Sequence, residues 1–260
     1  MSMTARVFRC LMFALALTPL PVVAKESITI AAAADLKFAM DDIVTAFEQA
    51  HPADTVQVIY GSSGKFTTQI EQGAPFDLFF AADIRYPQAL AQAGLTASAP
   101  ARFGTGRIVL WSATEDARKL TLQDLAKPQF RRIAIANPEH APYGVRAVQA
   151  LKAAGVWASV KPRLVYGENI GQTAQFVQSG NAQVGIIALA LAVNPALASK
   201  GGYAPIPDTL YDPLVQGFVI TRRAAHDPLA TAFAHFIDAP AAQAILRRYG
   251  FAGAPPAGAH

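Results

Sequence analysis

The sequence predicts an α/β fold of two Rossmann-like lobes, with a ligand cleft between them and two crossover strands joining them. Short apolar strands alternate with amphipathic helices along most of the 260 residues, as in parallel sheets covered by helices. The alternation falls into two sets, separated by residues 95–106, which are rich in Ala, Ser, Pro and Gly. A late strand and two helices have no set of their own. If they pack on the first set, the chain crosses between the lobes near residues 106–111 and 215–221, and the two crossings form a hinge. The structural alternative is a single doubly wound sheet.

Hydrophobic spacing predicts the individual elements. One face of the first helix carries apolar residues at helical spacing, namely Leu36, Met40, Ile43, Val44 and Phe47. Asp35 stands before this helix, where an N-cap belongs. Strands are expected at 27–31, 56–60, 76–81, 107–111, 132–136, 162–166, 184–187 and 215–221. Helices are expected from residue 36 to just before Pro52, and at 65–72, 84–93, 143–154, 170–178, 228–237 and 241–249. The tail after Phe251 is expected to be frayed.

The first 24 residues have the features of a secretory signal peptide. Arg6 and Arg9 precede an apolar run at residues 10–17, and small residues around Ala24 offer a cleavage site. We therefore expect cleavage after Ala24, and lobes formed by residues 25–105 with 217–260 and by residues 106–216.

Composition narrows the classes of function. Without the two arginines of the signal peptide, 20 basic residues face 18 acidic ones, which is not the charge pattern of a nucleic-acid-binding surface. The single cysteine, Cys10, lies inside the signal peptide. The exported chain is thus expected to hold no disulfide and no cysteine metal site, and the histidines show no metal-ligand spacing.

Four strand-to-helix loops carry the candidate binding residues, because ligands of parallel sheets sit at the carboxyl ends of the strands. These loops are residues 32–36, 61–64, 137–144 and 166–170. The second, Gly61-Ser62-Ser63-Gly64, offers hydroxyls and free N–H groups at a helix start, a combination that binds anions without a cation. Alternatively, this loop is only a flexible turn. Lys37 and Lys65 lie just inside helices, where they either face an anion or stay solvated.

At these loops the sequence resembles the periplasmic molybdate-binding proteins of ABC importers, a family of solute-binding proteins. The resemblance covers nearly the whole exported chain. It rests on Ala32-Ala33-Ala34-Asp35-Leu36, Ala39-Met40, Gly61-Ser62-Ser63-Gly64, Gly73-Ala74-Pro75-Phe76-Asp77-Leu78-Phe79, Ala82-Asp83, Pro138-Glu139-His140-Ala141-Pro142-Tyr143-Gly144, Val184-Gly185-Ile186 and Arg248-Tyr249-Gly250-Phe251. It implies the type II periplasmic binding fold, in which neutral hydrogen-bond donors hold an oxyanion.

The resemblance implies a binding protein, not an enzyme, that needs no cofactor and takes molybdate or tungstate. The expected ligand-binding residues are Asp35, Ser62, Ser63, Tyr143 and Ile170. The metal would be bound only as its oxyanion, with no direct protein ligand. The expected partners are an ABC permease and its ATPase, with no nucleic acid and no membrane insertion, for a monomer in the periplasm.

Two positions depart from the family pattern. Many members carry Ser at the position of Asp35, and some carry Tyr at the position of Ala188. Asp35 either turns away to cap the helix at Lys37 or Phe38, or accepts a hydrogen bond from a protonated oxyanion. The second reading would make the protein a receptor for a different or protonated oxyanion. A remote alternative is a periplasmic serine hydrolase, although the loop serines lack the G-x-S-x-G context and only His140 and Glu168 lie nearby as bases.

Overall fold

The computed structural model describes residues 27–253, whose strands form two separate five-stranded sheets. The strands are β1 Ser27–Ala33, β2 Thr55–Gly61, β3 Leu78–Ala81, β4 Ala101–Gly106, β5 Ile108–Trp111, β6 Ile133–Ala136, β7 Leu164–Gly167, β8 Val184–Ala188, β9 Tyr203–Pro205 and β10 Leu214–Ile220. The helices are α1 Lys37–Ala50, α2 Ser63–Glu71, α3 Arg85–Gln92, α4 Pro142–Ala153, α5 Trp157–Val160, α6 Ile170–Gln178, α7 Leu189–Ala192, α8 Pro195–Ala198, α9 Pro228–Ile237 and α10 Pro240–Arg248. Short 3₁₀ turns include Ala34–Leu36, which leads directly into α1.

The first sheet has the strand order β2-β1-β3-β10-β4 and the second the order β7-β6-β8-β5-β9. In the first, β1 runs parallel to β2 and β3, and β10 lies antiparallel between β3 and β4. In the second, β6 runs parallel to β7 and β8, while β5 is antiparallel to β8 and β9. The predicted two-lobe fold is therefore confirmed, and the alternative of a single doubly wound sheet is wrong.

The chain passes between the sheets at two neighbouring points. The first crossing takes place between β4, which ends at Gly106, and β5, which begins at Ile108. The second precedes β10, whose first residue, Leu214, is paired with Gly106. The pairing of β10 with β4 is irregular between Gln216 and Gly217. Since both crossings lie side by side, they form a compact hinge at one edge of the cleft.

Two strands were not predicted from the sequence. β4 lies within the predicted loop at residues 95–106, and its sequence, ARFGTG, lacks the alternating apolar pattern of a half-buried strand. It forms at the edge of its sheet because β10 pairs with it. β9 has only three residues and is held by β5. In both cases the partner strand supplies the hydrogen bonds that the local sequence does not signal.

Each lobe has its own apolar core. In the first, β3 is buried along its whole length, and α1 turns Met40, Ile43 and Phe47 inward. Phe47 packs edge-on against Phe233 of α9, with ring centroids 5.0 Å apart. In the second, the largest fully buried side chain is Trp111. The C-terminal helices thus pack on the first lobe, as the sequence predicts.

The two ends of the chain are only partly described. The predicted signal peptide, 1–24, lies outside the described residues, as do the last seven residues. The prediction that the tail frays after Phe251 is wrong for Ala252, which exchanges two backbone hydrogen bonds of 3.0 Å with Thr105. Among residues 27–253, no single helix has the length and apolarity to cross a membrane. Taken together, α9 and α10 are long and apolar enough by length and composition only, and they are bent by 57° relative to each other.

Candidate functional site

The four predicted loops meet at one cavity between the lobes. All five predicted site residues line it: Asp35, Ser62, Ser63, Tyr143 and Ile170. The other lining residues are Ala33, Ala34, Gly61, Ala82, Ala141, Pro142 and Asn169. The cavity offers about 10 Å³ to the centre of a water molecule, close to the minimum for one water. The lobes must therefore part to admit a ligand.

Helix starts surround the cavity because each loop joins the carboxyl end of a strand to a helix. Ser63 is the first residue of α2, Tyr143 the second of α4 and Ile170 the first of α6. These three helices have no acidic residue in their first turns. Their exposed N–H groups and partial positive charges therefore favour an anion in the cavity.

The two serines offer hydroxyl donors. The Oγ of Ser63 accepts a hydrogen bond of 3.0 Å from the N–H of Ala82, which leaves its proton free to be donated. The Oγ of Ser62 is buried and has no hydrogen-bond partner among the described residues. A buried hydroxyl without a partner is costly, so an acceptor placed in this cavity would satisfy it.

Asp35 does not cap the helix, and that prediction is wrong. Because Ala34–Leu36 forms a 3₁₀ turn, Asp35 lies inside a helical turn, and no side chain caps α1. Its Oδ2 instead accepts hydrogen bonds from Tyr143 Oη at 2.9 Å and from Gln216 Nε2 at 2.7 Å. Its Oδ1 is buried with no partner at hydrogen-bond geometry in the described part of the chain.

Burial raises the pKa of Asp35 to about 6, while hydrogen bonds from Gln216, Tyr143 and the nearby backbone lower it in part. Burial, followed by the negative charge of Asp35, also raises the pKa of Tyr143 well above its usual value. Tyr143 is therefore a neutral hydroxyl that donates to a carboxylate. This interaction joins the first lobe to the second across the cleft.

Gln216 is a site residue that sequence reasoning missed. It is fully buried on β10, at the hinge, and its Nε2 also lies 3.1 Å from Tyr143 Oη. The one available signal was a polar residue within an apolar strand. Gly106 leaves room for this cluster, because a Cβ there would lie 2.3 Å from Tyr143 Oη and 2.6 Å from Gln216 Nε2.

Further contacts close the rim of the cleft. The N–H of Gly64 donates to the carbonyl oxygen of His140 at 2.9 Å, and Lys65 forms an ion pair with Glu168. His140 Nε2 lies 3.6 Å from the same carboxylate. Lys65 thus bridges the lobes and is not among the residues that line the cavity. Lys37 does not line the cavity either, and it pairs with Asp41.

A buried ion pair also joins the lobes and was not predicted. Arg146 Nη2 of α4 lies 3.1 Å from Asp83 Oδ2, and both side chains are only 5% exposed. The Arg146 guanidinium also donates to the carbonyl oxygens of Asp212 and Pro213 in the second crossover. Arg146 therefore fixes α4 to both the first lobe and the hinge.

The geometry does not support hydrolysis. A serine nucleophile needs a base within hydrogen-bond reach. Neither Ser62 Oγ nor Ser63 Oγ is bonded to a histidine or carboxylate among the described residues. The Nε2 atom of His140, one of the two bases that the sequence offers, faces Glu168.

Within residues 27–253, no group of three or more His, Cys, Asp or Glu side chains could hold a metal ion.

Two α/β lobes, a double crossover and a small donor-lined cavity between them define a two-lobed solute-binding protein. Residues 28–252 match the family described as bacterial extracellular solute-binding protein. The chain belongs to this family, so it is a binding protein and not an enzyme.

Individual relatives agree with this assignment. The molybdate-binding protein ModA of Azotobacter vinelandii is 35% identical over 225 residues, which is 86% of this chain and 89% of that protein. ModA of Rhodobacter capsulatus is 36% identical over 199 residues, which is 76% of this chain and 77% of that protein. The solved periplasmic molybdate-binding protein of A. vinelandii superposes with a TM-score of 0.81 at 30% identity, covering 86% of this chain and 98% of that structure.

Proposed function

We propose that this protein captures molybdate or tungstate in the cavity between its lobes and delivers the ion to an ABC permease driven by a separate ATPase. The observation that carries the proposal is the convergence of three helix starts and two serine hydroxyls on one buried cavity. The names of the relatives support the choice of ion. The protein would act as a periplasmic monomer after cleavage behind Ala24, with lobes at about the boundaries expected from the sequence.

Neutral donors suit reversible capture of an anion. The described residues that line the cavity include no lysine or arginine, so binding relies on hydroxyl and N–H donors with the partial charges of the helix starts. Such donors are fixed by the fold and lose little freedom on binding. Because molybdate and tungstate are tetrahedral dianions of nearly equal size, the same donors serve both.

An oxyanion panel tests the proposed function directly. We expect molybdate and tungstate to raise the melting temperature and to give one binding event per chain by calorimetry, because a ligand that binds only the folded state stabilises it. Sulfate, phosphate and chromate serve as comparisons of different size and protonation. If no oxyanion of the panel shifts the melting temperature, the proposed function is wrong.

The serine hydroxyls supply the next prediction. Ser62→Ala and Ser63→Ala should each weaken oxyanion binding by about 1–3 kcal/mol, or roughly 5- to 150-fold, because an acceptor oxygen of the ligand loses its donor. Calorimetric titration with molybdate measures the effect.

Ser112→Ala is the matched control for the two variants. Ser112 is fully buried in the second lobe, and its Oγ donates to the carbonyl oxygen of Gln183 at 2.7 Å, away from the cavity. This variant should lose stability and keep its affinity. Wild-type affinity in Ser62→Ala or Ser63→Ala would remove that residue from the binding site.

A further inference from the structure

A carboxylate in the wall of an anion-binding cavity needs an explanation, since like charges repel at short range. Asp35 lines the cavity and is fully buried. Among residues 27–253, no lysine, arginine or histidine forms an ion pair with it. On α1, the nearby ions Lys37 and Asp41 pair with each other, while α6 and α7, which contact the turn that carries Asp35, contain no charged residue.

The remaining titratable groups around Asp35 are also engaged elsewhere. Tyr60 of β2 donates to Asp41, and Arg146 of α4 is paired with Asp83. At the rim, His140 and Lys65 both face Glu168. The side-chain partners of Asp35 are thus two neutral donors, Tyr143 and Gln216.

These partners distinguish the two oxygens of the carboxyl group. Oδ2 already accepts two hydrogen bonds, so a proton on that oxygen would oppose both donors. Oδ1 is buried and has no partner among the described residues. A proton therefore belongs on Oδ1, where it converts a repulsive acceptor into a donor like the neighbouring serines.

Resting on the proposed function, we propose that oxyanion binding takes up one proton from solvent, and that Asp35 Oδ1 holds this proton and uses it to donate a hydrogen bond to the ligand. The filled cavity then carries the charge of the dianion alone. No bond to the metal changes, and the proton returns to solvent when the ion leaves. A protonated Asp35 thereby selects an oxyanion whose oxygen at this position is unprotonated. An ionised Asp35 would do the opposite, because it would accept a hydrogen bond from a protonated oxyanion.

The electrostatics of the closed cleft support this inference. Burial, partly offset by hydrogen bonds from Gln216, Tyr143 and the nearby backbone, raises the pKa of Asp35 to about 6. A dianion against the carboxyl group raises this pKa further, because the second charge penalises ionisation. Below the pKa of Asp35 in the free protein the proton is already present, and affinity is independent of pH. Between this pKa and the higher pKa of Asp35 in the complex, the proton must be taken up, so Kd should rise about tenfold for each pH unit.

Calorimetric titration with molybdate in buffers of different ionisation enthalpy measures the number of protons that the protein takes up per ion bound. At about pH 8, the wild-type protein should take up close to one proton per ion bound. Asp35→Asn, which is isosteric and places a permanent donor at this position, should take up close to none. Its Kd should be at least tenfold lower than that of the wild type at about pH 8 and nearly constant with pH. Asp41→Asn, an exposed carboxylate outside the cavity, should retain the uptake.

The outcomes separate this inference from the proposed function. Wild-type binding of molybdate without proton uptake would overturn the inference alone, as would unchanged uptake in Asp35→Asn, which would assign the proton to another group. If neither wild type nor Asp35→Asn binds molybdate or tungstate, the proposed function fails and the inference fails with it. The wild-type proton count does not depend on how the variant folds.

Discussion

Replacing Arg146 with alanine is expected to lower the free energy of unfolding by about 3–5 kcal/mol, because it removes the buried counter-ion of a buried carboxylate and leaves Asp83 with only the exposed Arg85 as a charged partner. The side chains of Arg146 and Asp83 are each only 5% exposed. The same guanidinium also bonds two carbonyl oxygens of the second crossover, so the loss extends to the hinge. Urea unfolding, followed by circular dichroism, measures the change.

Arg85 provides a control with the same partner. It also pairs with Asp83, but its side chain is 69% exposed, so Arg85→Ala should cost no more than about 1 kcal/mol. Adding Asp83→Ala to Arg146→Ala should restore part of the lost stability, because the buried carboxylate is then removed together with its buried counter-ion. Equal losses for the two arginine variants would show that burial does not govern this ion pair.

Replacing Gly106 with alanine is expected to weaken oxyanion binding by about 1–3 kcal/mol, roughly 5- to 150-fold, because the added methyl group overpacks the closed cleft. The new Cβ would lie 2.3 Å from Tyr143 Oη and 2.6 Å from Gln216 Nε2. Tyr143 belongs to the second lobe, so opening the cleft relieves its clash. Affinity for molybdate should therefore fall more than the free energy of unfolding.

Gly104→Ala on the same strand is the matched control. Its Cβ would lie 3.3 Å from Ala252 and Phe251, which are both packed on the first lobe. This variant should change stability slightly and leave affinity unaltered, as measured by the same titration. Wild-type affinity in Gly106→Ala would mean that the cluster of Asp35, Tyr143 and Gln216 does not control closure.

Sequence patterns predicted the elements that depend on local spacing. The helix expected at 170–178 is found as Ile170–Gln178, and the strand expected at 184–187 is found as Val184–Ala188. Amphipathic periodicity and strand-to-helix order are properties of neighbouring residues, so they can be read without coordinates. The same order placed Ser62 and Ser63 at a helix start that faces the cavity.

Patterns failed where structure depends on distant partners. β4 was missed because β10, more than a hundred residues later, supplies its pairing. The capping role predicted for Asp35 was wrong for the same reason: Tyr143 is 108 residues away in sequence and Gln216 is 181 residues away. A local rule compares Asp35 only with the helix that follows it, whereas the folded chain offers two better donors.

The sequence by itself determined the two-lobed α/β plan and the four loops that carry the candidate binding residues, because both follow from hydrophobic spacing and helix starts. Only the tertiary structure decided which charges are paired and which are left in the cavity. It placed Arg146 against Asp83, kept Lys65 at the rim and left Asp35 Oδ1 without a hydrogen-bond partner in the described part of the chain. Pairing and burial of polar groups depend on the closure of one lobe against the other, and local spacing carries no information about that contact.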